Sequence, residues 1–179
     1  MKKLVKLALE NKAQQHPKEF EKLLIFLDTM SSKKIAVEIG SYNGGCLHAY
    51  KEIFEKTISI DLENLSLLKE VVYIIGDSHN ALSILKETIG GKNTKIDFLM
   101  IDGDHTYEGV KSDFELYHKL VRKGGVIAFH DILDTPLHRE LFCRVDLFWD
   151  EINKDDRFEA YEIIESDGAW GGIGILVVK

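Results

Sequence analysis

At 179 residues the chain has the length of one domain, enough to close a single hydrophobic core without disulfide staples. Hydrophobic residues at 45% and charged residues at 30% lie near the globular average, which excludes a disordered tail, and no apolar run approaches the roughly 20 residues of a membrane span. A formal net charge of −7 with no basic stripe argues against a nucleic-acid or membrane-surface partner.

In chain order, Leu4, Leu7 and Ala8, then Phe20, Leu23, Leu24 and Leu27 after Pro17, recur at helical spacing. They predict two helices over residues 1–33, acting as a cap or a dimer contact. From Lys34 the pattern changes to short apolar runs, each ending in Gly or an acid: IAVEIG, TISID, VVYIIGD, IDFLMID and GGVIAFHD. Continuous apolar runs of this kind belong to parallel strands buried on both faces. Helical segments are expected between them, near 44–55, 62–69, 78–89 and 107–121. A further helix near 138–152 precedes FEAYEII, a turn at Ser166-Asp167-Gly168, and GIGILVV. Residues 34–179 therefore predict an α/β domain, a doubly wound and mostly parallel seven-stranded sheet with a terminal antiparallel hairpin, whose chemistry sits at the carboxyl ends of the strands. Leu141, Phe142, Phe148 and Trp149 read as a core stripe, and Trp170 as a cover for a substrate or a subunit interface, which keeps a homo-oligomer open.

Cys46 and Cys143, without a CxxC pair, suggest a reducing compartment, and the cytoplasm is the expected location. Cys46 itself reads as a small packed thiol.

The first strand runs into Glu38-Ile39-Gly40-Ser41-Tyr42-Asn43-Gly44-Gly45. Glycines at a strand-to-helix turn let the backbone approach a ligand, and the helix N-terminus behind them attracts an anionic group. Neither Gly-x-Gly-x-x-Gly nor the Walker Gly-Lys-Ser/Thr is present. Asp61 ends the second strand about 20 residues after the glycines, where an acid can accept both ribose hydroxyls of an adenosine. Asp77 and Ser78 end the third strand, either beside an adenine or as a helix N-cap. Asp102, Asp104 and His105 follow the fourth strand, and His130 and Asp131 follow the fifth. These neighbouring strands bring five ionisable side chains into one cleft, where a shared cation or proton must offset the like charges. Asp104 alternatively caps the next helix. His16, His118 and His138 are placed on helical surfaces or loops without a role.

With Glu38-x-Gly40-x-x-x-Gly44, Asp61, Asp77 and the terminal hairpin, residues 34–179 resemble the class I S-adenosylmethionine-dependent methyltransferases, a Rossmann-like fold. The resemblance implies S-adenosylmethionine as cofactor, with Glu38, Gly40, Ser41, Gly44, Asp61, Asp77, Ser78 and Asp102 as cofactor-binding positions. Asp102-Gly103-Asp104-His105 and Phe129-His130-Asp131 are similar to the branch of macrolide-sugar and rhamnosyl O-methyltransferases and cephalosporin-hydroxylase-like proteins. That similarity implies a divalent metal, Mg²⁺ or Mn²⁺, at Asp102, His130 and Asp131; the His-Asp pair departs from the two acids of the branch, and its imidazole shifts preference away from Mg²⁺. Asp102, His105 and His130 are the expected catalytic residues, in methyl transfer to a hydroxyl of a sugar or other small metabolite. A nicotinamide-dependent oxidoreductase and a non-catalytic partner retaining the fold are the alternatives.

Overall fold

The computed structural model describes residues 1–66, 68–91, 93–165 and 171–179. Helices α1 (Lys2–Glu10) and α2 (Pro17–Asp28) precede a seven-stranded sheet. Its strands are β1 (Ile35–Ile39), β2 (Lys56–Asp61), β3 (Val71–Ile75), β4 (Ile96–Ile101), β5 (Val121–His130), β6 (Phe158–Ile163) and β7 (Ile173–Val178). Between them lie α3 (Leu47–Ile53), α4 (Ser78–Thr88), α5 (Tyr107–Tyr117), α6 (Pro136–Glu140) and α7 (Val145–Ile152).

The spatial order is β3-β2-β1-β4-β5-β7-β6. β1 pairs in parallel with both β2 and β4, whereas β7 lies antiparallel to both β5 and β6. The expected mostly parallel sheet with a terminal hairpin is what forms. The order reverses at β1 and β4, so a crevice opens beyond their carboxyl ends, at Gly40 and Asp102.

Successive side chains on a strand face opposite sides, and the apolar runs feed two cores accordingly. In β4, Leu99 and Ile101 join a core with Phe114 of α5, Leu85 of α4 and Trp149 of α7. Phe98 and Met100 join the other, with Leu23 and Leu24 of α2, Val5 of α1 and Tyr50 of α3. The N-terminal helices thus pack together with α3 over one face of the sheet.

Three expectations need correction. The described residues of 62–69 are not helical. Asn64 Oδ1 accepts the Ser66 N–H at 3.1 Å, and Tyr73 hydroxyl donates to Ser66 Oγ at 3.0 Å, a turn that competes successfully with helix. The helix expected over 138–152 is two helices. Thr135 caps the first, accepting the His138 N–H at 3.1 Å with Pro136 behind it, and Phe142 then turns left-handed at φ 57°. The stripe splits with it: Phe148 and Trp149 are buried, while Leu141 and Phe142 are exposed, Phe142 at 79%. The turn expected at Ser166-Asp167-Gly168 and the role considered for Trp170 fall outside the described residues.

Candidate active site

The glycine loop after β1 is shaped by packing against the chain itself. Gly40 has φ +80°, and a Cβ there would lie 2.1 Å from the Asp102 carbonyl oxygen and 2.5 Å from Gly103 Cα. Gly44, at φ +73°, would meet Ser66 Cβ at 2.4 Å, and Gly45 would meet the Ala13 nitrogen at 2.2 Å. The close approach that demands glycine at position 40 is therefore to the backbone after β4. The glycines thus serve the packing of the turn itself, and Gly40 and Gly45 also line the cleft.

The loop N–H groups have an internal acceptor. Ser41 and Tyr42 N–H both donate to Asp61 Oδ2 at 2.7 Å, so the acid ending β2 pins the loop across the strand gap. Among the described residues Asp61 Oδ1 faces the Glu63 N–H at 3.4 Å, which leaves it able to accept from a ligand hydroxyl. Ser41 Oγ lies 2.8 Å from Ser59 Oγ. Asp77 is the N-cap of α4, accepting the His79 N–H at 2.9 Å, and the Ser78 carbonyl accepts from Tyr117 hydroxyl. Both still line the cleft.

That cleft has a volume of about 830 Å³ and runs along the carboxyl ends of the strands, from Gly76 and Asp77 past Asp61, Gly40 and Asp102 to His130 and Asp131. Its carboxylates differ in state. Burial, at 1% exposure, pushes the Glu38 carboxyl well up, and the Asp102 charge adds to it. Burial pushes Asp102 up too, but the His130 and His105 imidazoles outweigh it and hold Asp102 at about 2. Burial thus disfavours the charged form of Glu38, while the two imidazoles favour the charged form of Asp102.

Beyond β4 and β5 the expected cluster assembles. Asp102 Oδ1 lies 3.1 Å from His105 Nε2 and 3.3 Å from His130 Nδ1; Asp131 Oδ2 lies 3.3 Å from His130 Nδ1 and 3.9 Å from His105 Nδ1. His130, 2% exposed, bridges two carboxylates; burial lowers its pKa, yet Asp102 and Asp131 outweigh that and raise it to about 10. His105 is half-buried and opens on the cleft, its basicity pulled down by burial and raised on balance by Asp102. Asp131 sits at φ 62°, a left-handed conformation uncommon for a non-glycine residue and frequent at functional sites.

Asp102, His130 and Asp131 offer ligand atoms within 4.8 Å of one another. His130 Nδ1 lies 3.3 Å from each carboxylate, close to the roughly 3 Å between adjacent ligands of an ion with bonds near 2.1 Å, so this donor set, with the imidazole neutral, fits a divalent cation. His105, Asp131 and Cys143 form a second such group. Asp104 stays out of the cluster: exposed, it accepts the Thr106 N–H at 2.9 Å at the start of α5. Cys46 is a buried thiol whose pKa burial raises, as a packed thiol should be. His79 lies beside Asp77 and Asp113, away from the cluster.

Two residues join the site without a local signal in the sequence. His138 is 4% exposed, with Nε2 3.3 Å from Asp131 Oδ1 and Nδ1 2.5 Å from the Leu133 carbonyl. Thr135-Pro136 starts α6 two residues before it, which is the one feature that could have turned it inward. Gln15, on the linker between α1 and α2, donates from Nε2 to Asp102 Oδ2 at 3.0 Å.

A family described as a methyltransferase domain matches residues 24–132. Among solved structures, the O-methyltransferase from Bacillus cereus in complex with SAH superposes with a TM-score of 0.70 at 17% identity, over 98% of this chain and 90% of that one. TomG from Streptomyces achromogenes, an O-methyltransferase in complex with SAM, gives 0.70 at 16% identity over 93% and 82%. The MycE methyltransferase of the mycinamycin biosynthetic pathway, in complex with Mg and SAH, gives 0.69 at 15% identity over 98% of this chain and 54% of its own. An uncharacterized protein of Acanthamoeba polyphaga mimivirus is 59% identical over 39 residues, which is 22% of this chain and 18% of that relative's length. These structures share the fold, and with more than half of its length matched by the domain, the chain belongs to the methyltransferase domain family.

Proposed function

We propose that the chain transfers a methyl group from S-adenosylmethionine to a hydroxyl of a sugar or other small metabolite. The observation that carries this reading is the charge of the cleft. Asp61, Asp77, Asp102, Asp104 and Asp131 line it, against Lys12 and the protonated His130 among the described residues, which leaves the carboxylates in excess. A nicotinamide dinucleotide would bring a pyrophosphate into that carboxylate field as like charge, whereas a sulfonium carrying an ammonium meets it as opposite charge.

The strand order supports a lengthwise arrangement. Adenine would lie near Asp77 and Ser78 beyond β3, ribose at Asp61 beyond β2, the amino-acid end near Gly40 and Asp102, and the acceptor beside His105 and Asp131. From β2 to β4 is two strand spacings, about 10 Å, the span from a ribose to an amino-acid end in an extended ligand.

When bound, S-adenosylmethionine supplies an electrophilic methyl to an oxygen held in line, and a divalent cation such as Mg²⁺ or Mn²⁺ at Asp102, His130 and Asp131 supplies a lower pKa for the acceptor hydroxyl. The chain's own contribution is orientation and proton acceptance. Asp61 fixes the loop with one oxygen and offers the other to ribose. Without a cation His130 is protonated across the neutral range and holds Asp102 and Asp131 in register, whereas a bound cation would take the place of its Nδ1 proton; neither state suits it as a base. His105 opens on the cleft with raised basicity, and it takes the acceptor proton.

Acceptor-dependent formation of S-adenosylhomocysteine, measured over a panel of hydroxylated sugars and metabolites, tests this. Turnover is expected on at least one acceptor, with His105→Gln lowering kcat by about 100-fold or more. Cofactor binding without turnover on any acceptor would instead favour a non-catalytic protein of this fold.

A further inference from the structure

The α1–α2 linker carries a polar group that the family match does not cover. Gln15 lies outside residues 24–132, yet Lys12, Ala13, Gln14 and Gln15 all line the cleft, and Ala13 packs so tightly on the glycine loop that Gly45 has no room for a Cβ. Gln15 is 4% exposed. Its Nε2 donates to Asp102 Oδ2 at 3.0 Å, while its Oε1 is buried without a hydrogen-bond partner among the described residues. A buried amide oxygen left in that state is costly, so it marks a place where a donor belongs.

The lone pairs of Asp102 point the same way. Oδ1 is taken by the His105 and His130 imidazoles, and among the described residues Oδ2 receives Gln15 Nε2, which leaves one acceptor position on Oδ2 for a ligand. An open anionic acceptor and an orphaned amide acceptor are held side by side by one hydrogen bond. A neutral hydroxyl has one proton to give and would leave one of them unmet. A primary ammonium has three, and its charge complements the Asp102 anion.

We propose that Gln15 Oε1 and Asp102 Oδ2 form an acceptor pair for a primary ammonium, that of the amino-acid end of the cofactor, which makes the N-terminal linker part of the cofactor site. The inference rests on reading the cleft as an S-adenosylmethionine site. It places the ammonium two strands from the Asp61 carboxylate at the ribose end, the distance that an extended ligand requires.

Calorimetric titration of the full chain with S-adenosylhomocysteine, and with the analogue bearing hydrogen in place of the α-amino group, tests the pair. The wild-type protein should bind S-adenosylhomocysteine at least tenfold more tightly than the analogue. Gln15→Met, matched in length but without the amide, should weaken S-adenosylhomocysteine about tenfold and leave the analogue within twofold. Equal losses for both ligands would reduce Gln15 to a packing residue and overturn the proposal. Failure of the wild-type protein to distinguish the two ligands would also overturn it, without needing any variant, while the cofactor reading stands. Binding of neither ligand would overturn both.

Discussion

Asp61 Oδ2 accepts the N–H groups of Ser41 and Tyr42 at 2.7 Å each, so the acid that ends β2 shapes the loop after β1 with one oxygen, while the other meets the Glu63 N–H at 3.4 Å and is proposed to take the ribose. The two duties separate by substitution. Asp61→Asn retains an oxygen for the loop and should keep the melting temperature near wild type while losing roughly 1.5–3 kcal/mol of S-adenosylhomocysteine affinity. Asp61→Ala should lose both. Calorimetry and thermal unfolding on the two variants check this; equal affinity in wild type and Asp61→Asn would remove Asp61 from the ribose site.

Gly40→Ala should destabilise the fold itself. The added Cβ meets the Asp102 carbonyl oxygen at 2.1 Å, and φ +80° is costly for any residue with a side chain. Backbone strain and overpacking together predict a loss of about 2–5 kcal/mol. Denaturant unfolding measures it, and an unchanged midpoint would contradict the packing role of this glycine.

The ionic cluster predicts a pH dependence in metal-free protein. His130 titrates at about 10 in the fold, above the ordinary histidine value near 6.5, so its contribution to stability is complete below about 6.5 and lost as pH rises through about 10. Asp102, held at about 2, contributes fully above about 3.9 and loses that contribution as pH falls through about 2. The stability gap between wild type and His130→Gln should therefore be widest between about pH 4 and 6.5 and narrow steadily towards pH 10. Thermal unfolding of chelator-treated protein across that range reads it; a gap that grows with pH would mean that His130 is neutral.

Metal removal separates two accounts of acceptor activation. If a cation at Asp102, His130 and Asp131 activates the hydroxyl, Asp102→Asn should weaken Mn²⁺ binding and turnover together, and chelation should abolish activity. If chelated protein keeps full activity while His105→Ala loses it, the histidine acts alone. Manganese binding by electron paramagnetic resonance alongside activity decides between them.

The sheet was legible because its signal is local. IAVEI, TISID, IDFLMI and VIAFH are buried runs whose character does not depend on what covers them, and the cleft residues Gly40, Asp61, Asp102 and His130 stand at or just after their ends. Asp102, His105, His130 and Asp131 were readable for the same reason, since parallel topology fixes where strand ends meet. What failed to show depends on contacts distant in sequence. Residues 62–66 carry leucines at helical spacing, but Ser66 is held by Tyr73 and by Gly44, neither of which a local pattern displays. Gln15 reaches Asp102 across 87 residues, from a linker with no periodicity. A helix begun at residue 138 puts His138 on its surface, whereas the helix begins at Pro136 and the ring faces Asp131.

Calorimetric titration of the wild-type chain with S-adenosylhomocysteine and with NAD is the most direct test of the whole account. A cleft lined by Asp61, Asp77, Asp102 and Asp131 should bind S-adenosylhomocysteine and show no heat with NAD. Saturable NAD binding with no response to S-adenosylhomocysteine would contradict it.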